Sequence, residues 1–394
     1  MKQKIINVTV YPITQAPLKA NVWIEDGLIR SIGDWPGQKA DETIDGKGGL
    51  LFPGFIDAHS HIGLAPEGQG LPYDDTNEAS EPVTPDVRAL DAYTPVDLAF
   101  REAARGGVMI YCVLPGSANP IGGLGSIFHY SRSNLASDQI LRADCYLKMA
   151  TGENPKVCYG EKKVMPSTRM GVAAVMRKFL NDGRNYIQKK KTFAQKAEDP
   201  EAKQKVFAET DPRLEVAEQL LKREIRARIH CHRAEDILTA LRIAREFEID
   251  ICIEHATEFY KVHEEVKKAG VPIVIGPLVG FRSKVELRDA TLAAFGVAER
   301  EEILFASMSD HPVIPAETLR LQAGMAVQYG ASEEAMLKSM TIYPAKILDL
   351  DQEYGSIEVG KKASLCIWDG HPFHSNRRVV WNSVDGWDVY EPKV

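Results

Sequence analysis

Cysteine is sparse and scattered. Six thiols (Cys112, Cys145, Cys158, Cys231, Cys252 and Cys366) fall singly through 394 residues, with no Cys-x-x-Cys pair. That excludes a disulfide scaffold and suits reduced thiols in a cytoplasmic protein. Long apolar runs are missing too: none approaches the ~20 residues of a membrane span. The opening "MKQKIINVTVYPIT" lacks the unbroken apolar core of a signal peptide. There is no basic surplus; the net charge of -7 argues against nucleic acid or an anionic membrane as partner. Apolar residues at 44% and charged residues at 26% are the balance of a globular protein.

The first fifty residues carry short strand patterns broken by Asp-Gly and Gly-Gly turn signals, as in "ANVWIEDGLIRSIG", and the last fifty read alike. Between them, apolar strands alternate with amphipathic helices: "VMIYCVL", "ARIHCH", "DICIEHA", "VPIVIGP" and "ILFASMSD" are each followed or preceded by a helical period. This spacing means a parallel sheet. A repeat count near eight favours a (β/α)8 TIM barrel over an open doubly wound sheet, and no phosphate-binding glycine loop follows any strand. The expected organisation is a small β-sandwich built from both termini (1–53 and 341–394) around a barrel at 54–340. Residues 65–93 read as a long loop over the barrel mouth, 114–123 ("LPGSANPIGG") as a tight loop, and 176–209 as a charged helical insertion.

In such a barrel, chemistry gathers at the C-terminal ends of the strands. His59 and His61 close "GFIDAHSH"; spaced two apart on a strand, they point the same way. Lys148 falls late in "ADCYLKMATG", His230 and His232 close "ARIHCH", His255 closes "DICIEH", and Asp310 closes "ILFASMSD". Singly, each has an ordinary explanation: a surface lysine, a helix-capping aspartate, a satisfied polar histidine. Together at converging strand ends they suit a divalent cation, Zn2+ first, with Mn2+ or Fe2+ as alternatives.

The motif "PGFIDAHSHIG" resembles the first-strand signature of the amidohydrolase superfamily, and "SMSDHP" and the later histidines fall where that superfamily places its ligands. "YLKMATGENPK", "PSTRMG" and "LPGSANPIGG" resemble the imidazolonepropionase and Xaa-Pro dipeptidase-like branch. The tail "GSIEVGKKASLCIWD" is similar too, with Ser364 where an acidic residue is usual. The resemblance implies that His59, His61 and Asp310 hold one metal and His230 and His255 a second, with Lys148 bridging them as a carbamate. The alternative it implies is a single metal on His59, His61, His230 and Asp310, with His255 as a hydrogen-bonding electrophile. In either arrangement His230 is the expected ligand and its neighbour His232 supports it from behind or contacts substrate, with the reverse assignment of the two as the alternative. Homo-oligomers are common among such proteins.

The implied chemistry is attack of a metal-activated hydroxide on a carbonyl or amidine carbon, with Asp310 as general base and then general acid. The expected reaction is hydrolysis of an amide, cyclic amide or dipeptide in a small substrate. Deamination of an amino-heterocycle is the alternative, and a metal-free scaffold the third reading. Arg169 and Arg282 are candidates to grip a substrate carboxylate, and Asn119 to face the site.

Overall fold

A computed structural model describes residues 1–196 and 210–390. Part of the charged insertion at 176–209 therefore lies outside the described residues. One eight-stranded sheet is built from both ends of the chain. It contains β1 (Lys2–Val10), β2 (Leu18–Lys19), β3 (Val22–Glu25), β4 (Leu28–Ile32) and β5 (Glu42–Pro53). A second holds β6 (Phe55–Ser60), β7 (Val108–Val113), β8 (Ile121–His129), β9 (Ile140–Ala150), β10 (Arg226–Cys231), β11 (Ile251–His255), β12 (Ile273–Ile275) and β13 (Phe305–Ser307). The last three strands, β14 (Leu365–Trp368), β15 (Val379–Val384) and β16 (Trp387–Tyr390), return to the first sheet, with β14 antiparallel to β5.

Local chemistry makes the terminal hairpins. Asp26 and Gly27 join β3 to β4 with φ of 52° and 77°, and Asp385 and Gly386 join β15 to β16 with φ of 51° and 80°. Consecutive positive φ values fit a tight turn whose twist matches the flanking strands. The sheet buries its own apolar cluster, including Ile5, Val10, Ile24, Leu51, Ile367 and Trp381. That cluster is separate from the larger one around the second sheet.

The second sheet is barrel-like. All six residues of β6 and of β7 are buried, as expected of strands covered on both faces. It departs from uniform strand–helix alternation at β8, which pairs antiparallel with both β7 and β9. Residues 114–120 and 130–139 link these strands. Both links are too short for the crossover of about a dozen residues that a parallel return needs. The expected tight loop at 114–123 thus ends early, because Ile121, Gly122 and Gly123 open β8. Its glycines admit close neighbours: a Cβ on Gly123 would lie 2.4 Å from the Val87 carbonyl oxygen.

The first and last barrel strands meet just past their ends, where Asp310 N–H donates to His59 O (3.2 Å) and His61 N–H to His311 O (2.9 Å). In the insertion, the helix Arg169–Lys196 packs on the helix Pro212–Leu221. Lys190 of the charged insertion reaches Glu218 at 2.6 Å and Glu215 at 3.0 Å. Among the described residues no helix is long and apolar enough to cross a membrane.

Candidate metal centre

His59 lies inside β6 and His61 one step past it, so the seam with the β13 end brings Asp310 against both. His61 Nε2 is 3.1 Å, and His59 Nε2 3.3 Å, from Asp310 Oδ1. The other ring nitrogens are committed. His59 Nδ1 donates to Glu254 (2.7 Å), His61 Nδ1 to the Leu114 carbonyl (2.7 Å) and His255 Nδ1 to the Gly276 carbonyl (2.9 Å). Partners that can only accept assign the proton to Nδ1, which leaves each Nε2 with its lone pair. Burial lowers the His59 pKa, and the neighbouring Lys148 lowers it further. Burial and crowding by His232 hold His255 well below the ordinary imidazole range.

The Nε2 lone pairs of His59 and His61 therefore face a carboxylate oxygen that has no hydrogen-bond donor. Two imidazole nitrogens and a carboxylate oxygen converging at this distance need a shared cation, a proton or a metal ion, and the donor set fits a metal ion. A second group adjoins the first. His230, His232 and His255 bring one ring nitrogen each within 4.8 Å of one another, as do His59, His255 and Asp310. The His230 ring is 4.3 Å from that of His255, and both its nitrogens are buried without a partner. Burial, then the His255 and His232 rings, keep His230 neutral at pH 7, as a ligand must be.

Two positions that carry these groups have left-handed backbone, with φ of 66° at His255 and 52° at Asp310. For a residue with a Cβ this costs on the order of 1 kcal/mol. At His255 it breaks strand alternation. Consecutive side chains normally face opposite ways, yet Glu254 bonds to His59 while the His255 ring lies 5.4 Å from the same imidazole.

Lys148 is buried on β9, its Nζ 3.2 Å from His59 Nε2. Burial pulls its amine down to about 8 although Asp310 and Glu254 act the other way. Behind the histidines sits an ion pair that the sequence reading missed. Arg228 and Glu254, each 0% exposed, meet through Nε–Oε1 and Nη2–Oε2 (3.1 Å), and Arg228 Nη2 also donates to the Ala58 carbonyl at 2.7 Å. Burial alone would raise the Glu254 carboxyl; Arg228 and His59 outweigh it and hold it at about 2. The available signal was an arginine two residues before His230, on the same strand face, and tertiary pairing sets it in register with Lys148. Asp57 was also missed. It takes the Ser309 N–H (3.1 Å) and hydroxyl, and burial pushes its carboxyl up to about 7.

The remaining candidates divide. His232 joins the cluster, its Nδ1 2.8 Å from Thr257 Oγ1 and its Nε2 3.6 Å from Glu286 Oε1. Arg282 lines a cavity of about 260 Å3 whose walls include His61, His230, His255 and Asp310. Arg169 instead pairs with Asp236 (2.8 Å), with its side chain 41% exposed, and lines a different pocket beside Thr239 and Arg242. Asn119 spends its amide elsewhere: Nδ2 donates to Glu78 O and Thr84 Oγ1, and Oδ1 accepts from the Tyr159 hydroxyl.

Comparison with known proteins identifies the family. The model of the amidohydrolase family matches residues 50–387. A crystal structure of an amidohydrolase from Thermotoga maritima is 46% identical, covers 99% of this chain and 100% of its own, and superposes with a TM-score of 0.94. Amidohydrolase tasK of Hapsidospora irregularis is 28% identical over 95% of this chain, which spans only 40% of that relative's length. A prolidase crystallised with N-methylphosphonate-L-proline shares the fold at 15% identity and a TM-score of 0.58, covering 99% of this chain and 100% of its own. With a family model spanning most of its length and a near-complete structural match, the chain belongs to the amidohydrolase family.

Proposed function

We propose that the protein is a metal-dependent hydrolase that opens a carbon–nitrogen bond (an amide, a cyclic amide or a dipeptide) in a small substrate. The observation that carries this reading is the acceptor-to-acceptor contact of Asp310 with His59 and His61. His59, His61 and Asp310 would hold one divalent ion, and His230 and His255 a second. Zn2+ suits this set best, and Fe2+ or Mn2+ can use the same ligands. When bound, such an ion acidifies water and polarises a carbonyl. In this reading 54–340 form a (β/α)8-type catalytic barrel, and 1–53 with 341–394 form its sandwich domain.

The chain's own residues supply the rest. Asp310 accepts a proton from the attacking water and returns it to the leaving nitrogen. Glu254 and the Leu114 carbonyl keep the Nδ1 protons of His59 and His61, which orients both rings. Lys148, its amine lowered to about 8, has a neutral fraction at pH 7 that can capture carbon dioxide. The resulting carbamate is an anionic ligand, which an ammonium is not.

The test is elemental analysis of protein purified without chelator, alongside hydrolysis of amides and dipeptides and ammonia release from amino-heterocycles. The reading expects two metal equivalents in the wild type, one or none in Lys148→Ala, and hydrolysis of amides or dipeptides without ammonia release from the amino-heterocycles. Wild-type protein free of metal and inactive on every substrate would refute it.

A further inference from the structure

Much of the lining of the histidine cavity comes from residues 277–290, between β12 and the helix Ala293–Arg300. Two cations of this segment, Arg282 and Lys284, line the cavity. Lys284 Nζ donates to Asn154 Oδ1 (2.6 Å), and Asn154 Nδ2 donates to Ser117 Oγ (2.6 Å), which ties the ammonium to the opposite wall. Arg282 Nη2 donates to the Ala290 carbonyl at 2.8 Å. Among the described residues neither forms an ion pair.

This is not a local shortage of acid. Arg288, on the same segment, and Lys261 both end on Asp289, at 3.1 Å and 2.6 Å. The nearby Glu286 turns its Oε1 toward His232 Nε2 (3.6 Å) and His230 Nε2 (3.8 Å). Asp310, down among the histidines, is the single carboxylate among the described lining residues. A low-dielectric cleft lined by two cations without an ion-pair contact among the described residues focuses positive potential and recruits an anion. The cavity, about 260 Å3, lies just below the ~300–1,000 Å3 usual for small-molecule sites. At its rim Phe281 is 88% exposed and Val313 59% exposed, an apolar surface beside the charges.

Resting on the hydrolase reading above, we infer that Lys284, with Arg282, forms an anion subsite selecting substrates that carry a carboxylate beside the scissile bond. The class is N-acylated amino acids and dipeptides with an apolar side chain, in preference to neutral amides. Lys284 acts here as a specificity residue. One ammonium–carboxylate hydrogen bond in such a site is worth about ten- to hundredfold in affinity.

The test is calorimetric titration of metal-replete protein with N-benzoylglycine and with its neutral amide. The wild type should bind the acid at least about tenfold more tightly. Lys284→Met should bring the two within a few-fold at unchanged metal content and melting temperature, and Lys284→Arg should restore the preference. Equal affinity for acid and amide in the wild type overturns the subsite, as does no saturation by the acid up to about 10 mM. A preference that survives in the double variant Arg282→Met/Lys284→Met also overturns it, because the acid is then held by the metal site. Failure of the hydrolase reading looks different: protein that prefers the acid in a Lys284-dependent way but cleaves nothing. Protein that holds metal and cleaves acid and amide alike keeps the hydrolase reading and loses the subsite.

Discussion

Replacing Arg228 by methionine should destabilise the protein by about 3–5 kcal/mol, the cost of leaving one member of a buried ion pair uncompensated. The structure sets the terms. Arg228 and Glu254 are both 0% exposed and share two hydrogen bonds. With the guanidinium gone, His59 Nδ1–H is the side-chain donor left to the carboxylate. Coulomb's law at an effective dielectric of ~20 and ~4 Å separation independently gives ~4 kcal/mol. Glu254→Gln should cost a similar amount by stranding Arg228. The double variant Arg228→Met/Glu254→Gln removes both charges, and the carbonyl oxygen of the introduced amide can still accept from His59 Nδ1–H. Its loss should therefore fall short of the sum of the single losses by about 2–3 kcal/mol. The assay is urea unfolding of chelator-treated protein, so that metal linkage does not contribute. It is read by both tryptophan fluorescence and circular dichroism, with coincident transitions required. Strictly additive single and double losses would refute the idea that the two charges matter chiefly to each other.

Asp57→Asn should flatten the pH dependence of stability. The Asp57 carboxyl is raised to about 7 in the fold against ~3.9 in the unfolded chain. The folded state thus binds this proton more tightly. Its contribution is fully present below about pH 4 and is lost as pH rises through about 7, a swing of up to about 4 kcal/mol. An asparagine can keep the Ser309 contacts without the titration, so a wild-type-like slope between pH 4 and 7 in the variant would contradict the assignment. Asp310→Asn should cut turnover by about 10²–10⁴, the range for losing a general acid–base group, whereas His374→Ala, on the exposed tail, should leave it near wild type. Steady-state kinetics on metal-replete proteins decides this, and a fully active Asp310→Asn would remove the proton-transfer role.

Strand periodicity exposed the clustered histidines, because His59 and His61 two apart on an apolar strand must share a face. It could not expose Arg228, which on one strand looks like any interior-facing arginine; only pairing in register with Lys148 and contact with Glu254 from the neighbouring strand give it a role. Glu254 was hidden for the opposite reason. Alternation assigns it to the face away from His255, and the left-handed backbone at His255 cancels that rule. The glycines of "IGGLGSIFH" made β8 read in part as loop, since glycine weakens strands. They are there because the Val87 backbone and the Leu114 side chain leave no room for a Cβ at Gly123 and Gly125. Arg169 and Asn119 looked available because a sequence does not reveal that Asp236 and Tyr159 reach them first.

The chain's linear order thus settles whatever depends on neighbours along the backbone. Period two puts His59 with His61 and His230 with His232, Asp-Gly pairs turn the terminal hairpins, and alternating strands and helices build the sheet that carries the histidines. The return of that sheet's last strand to its first brings the candidate residues together. Asp310 meets His59 and His61 only because the end of β13 returns to β6, from about 250 residues away in sequence. Lys148 becomes a weakly basic amine only because packing strips its water. Periodicity is a property of one segment; the field at an imidazole or an amine is the sum over every segment that surrounds it.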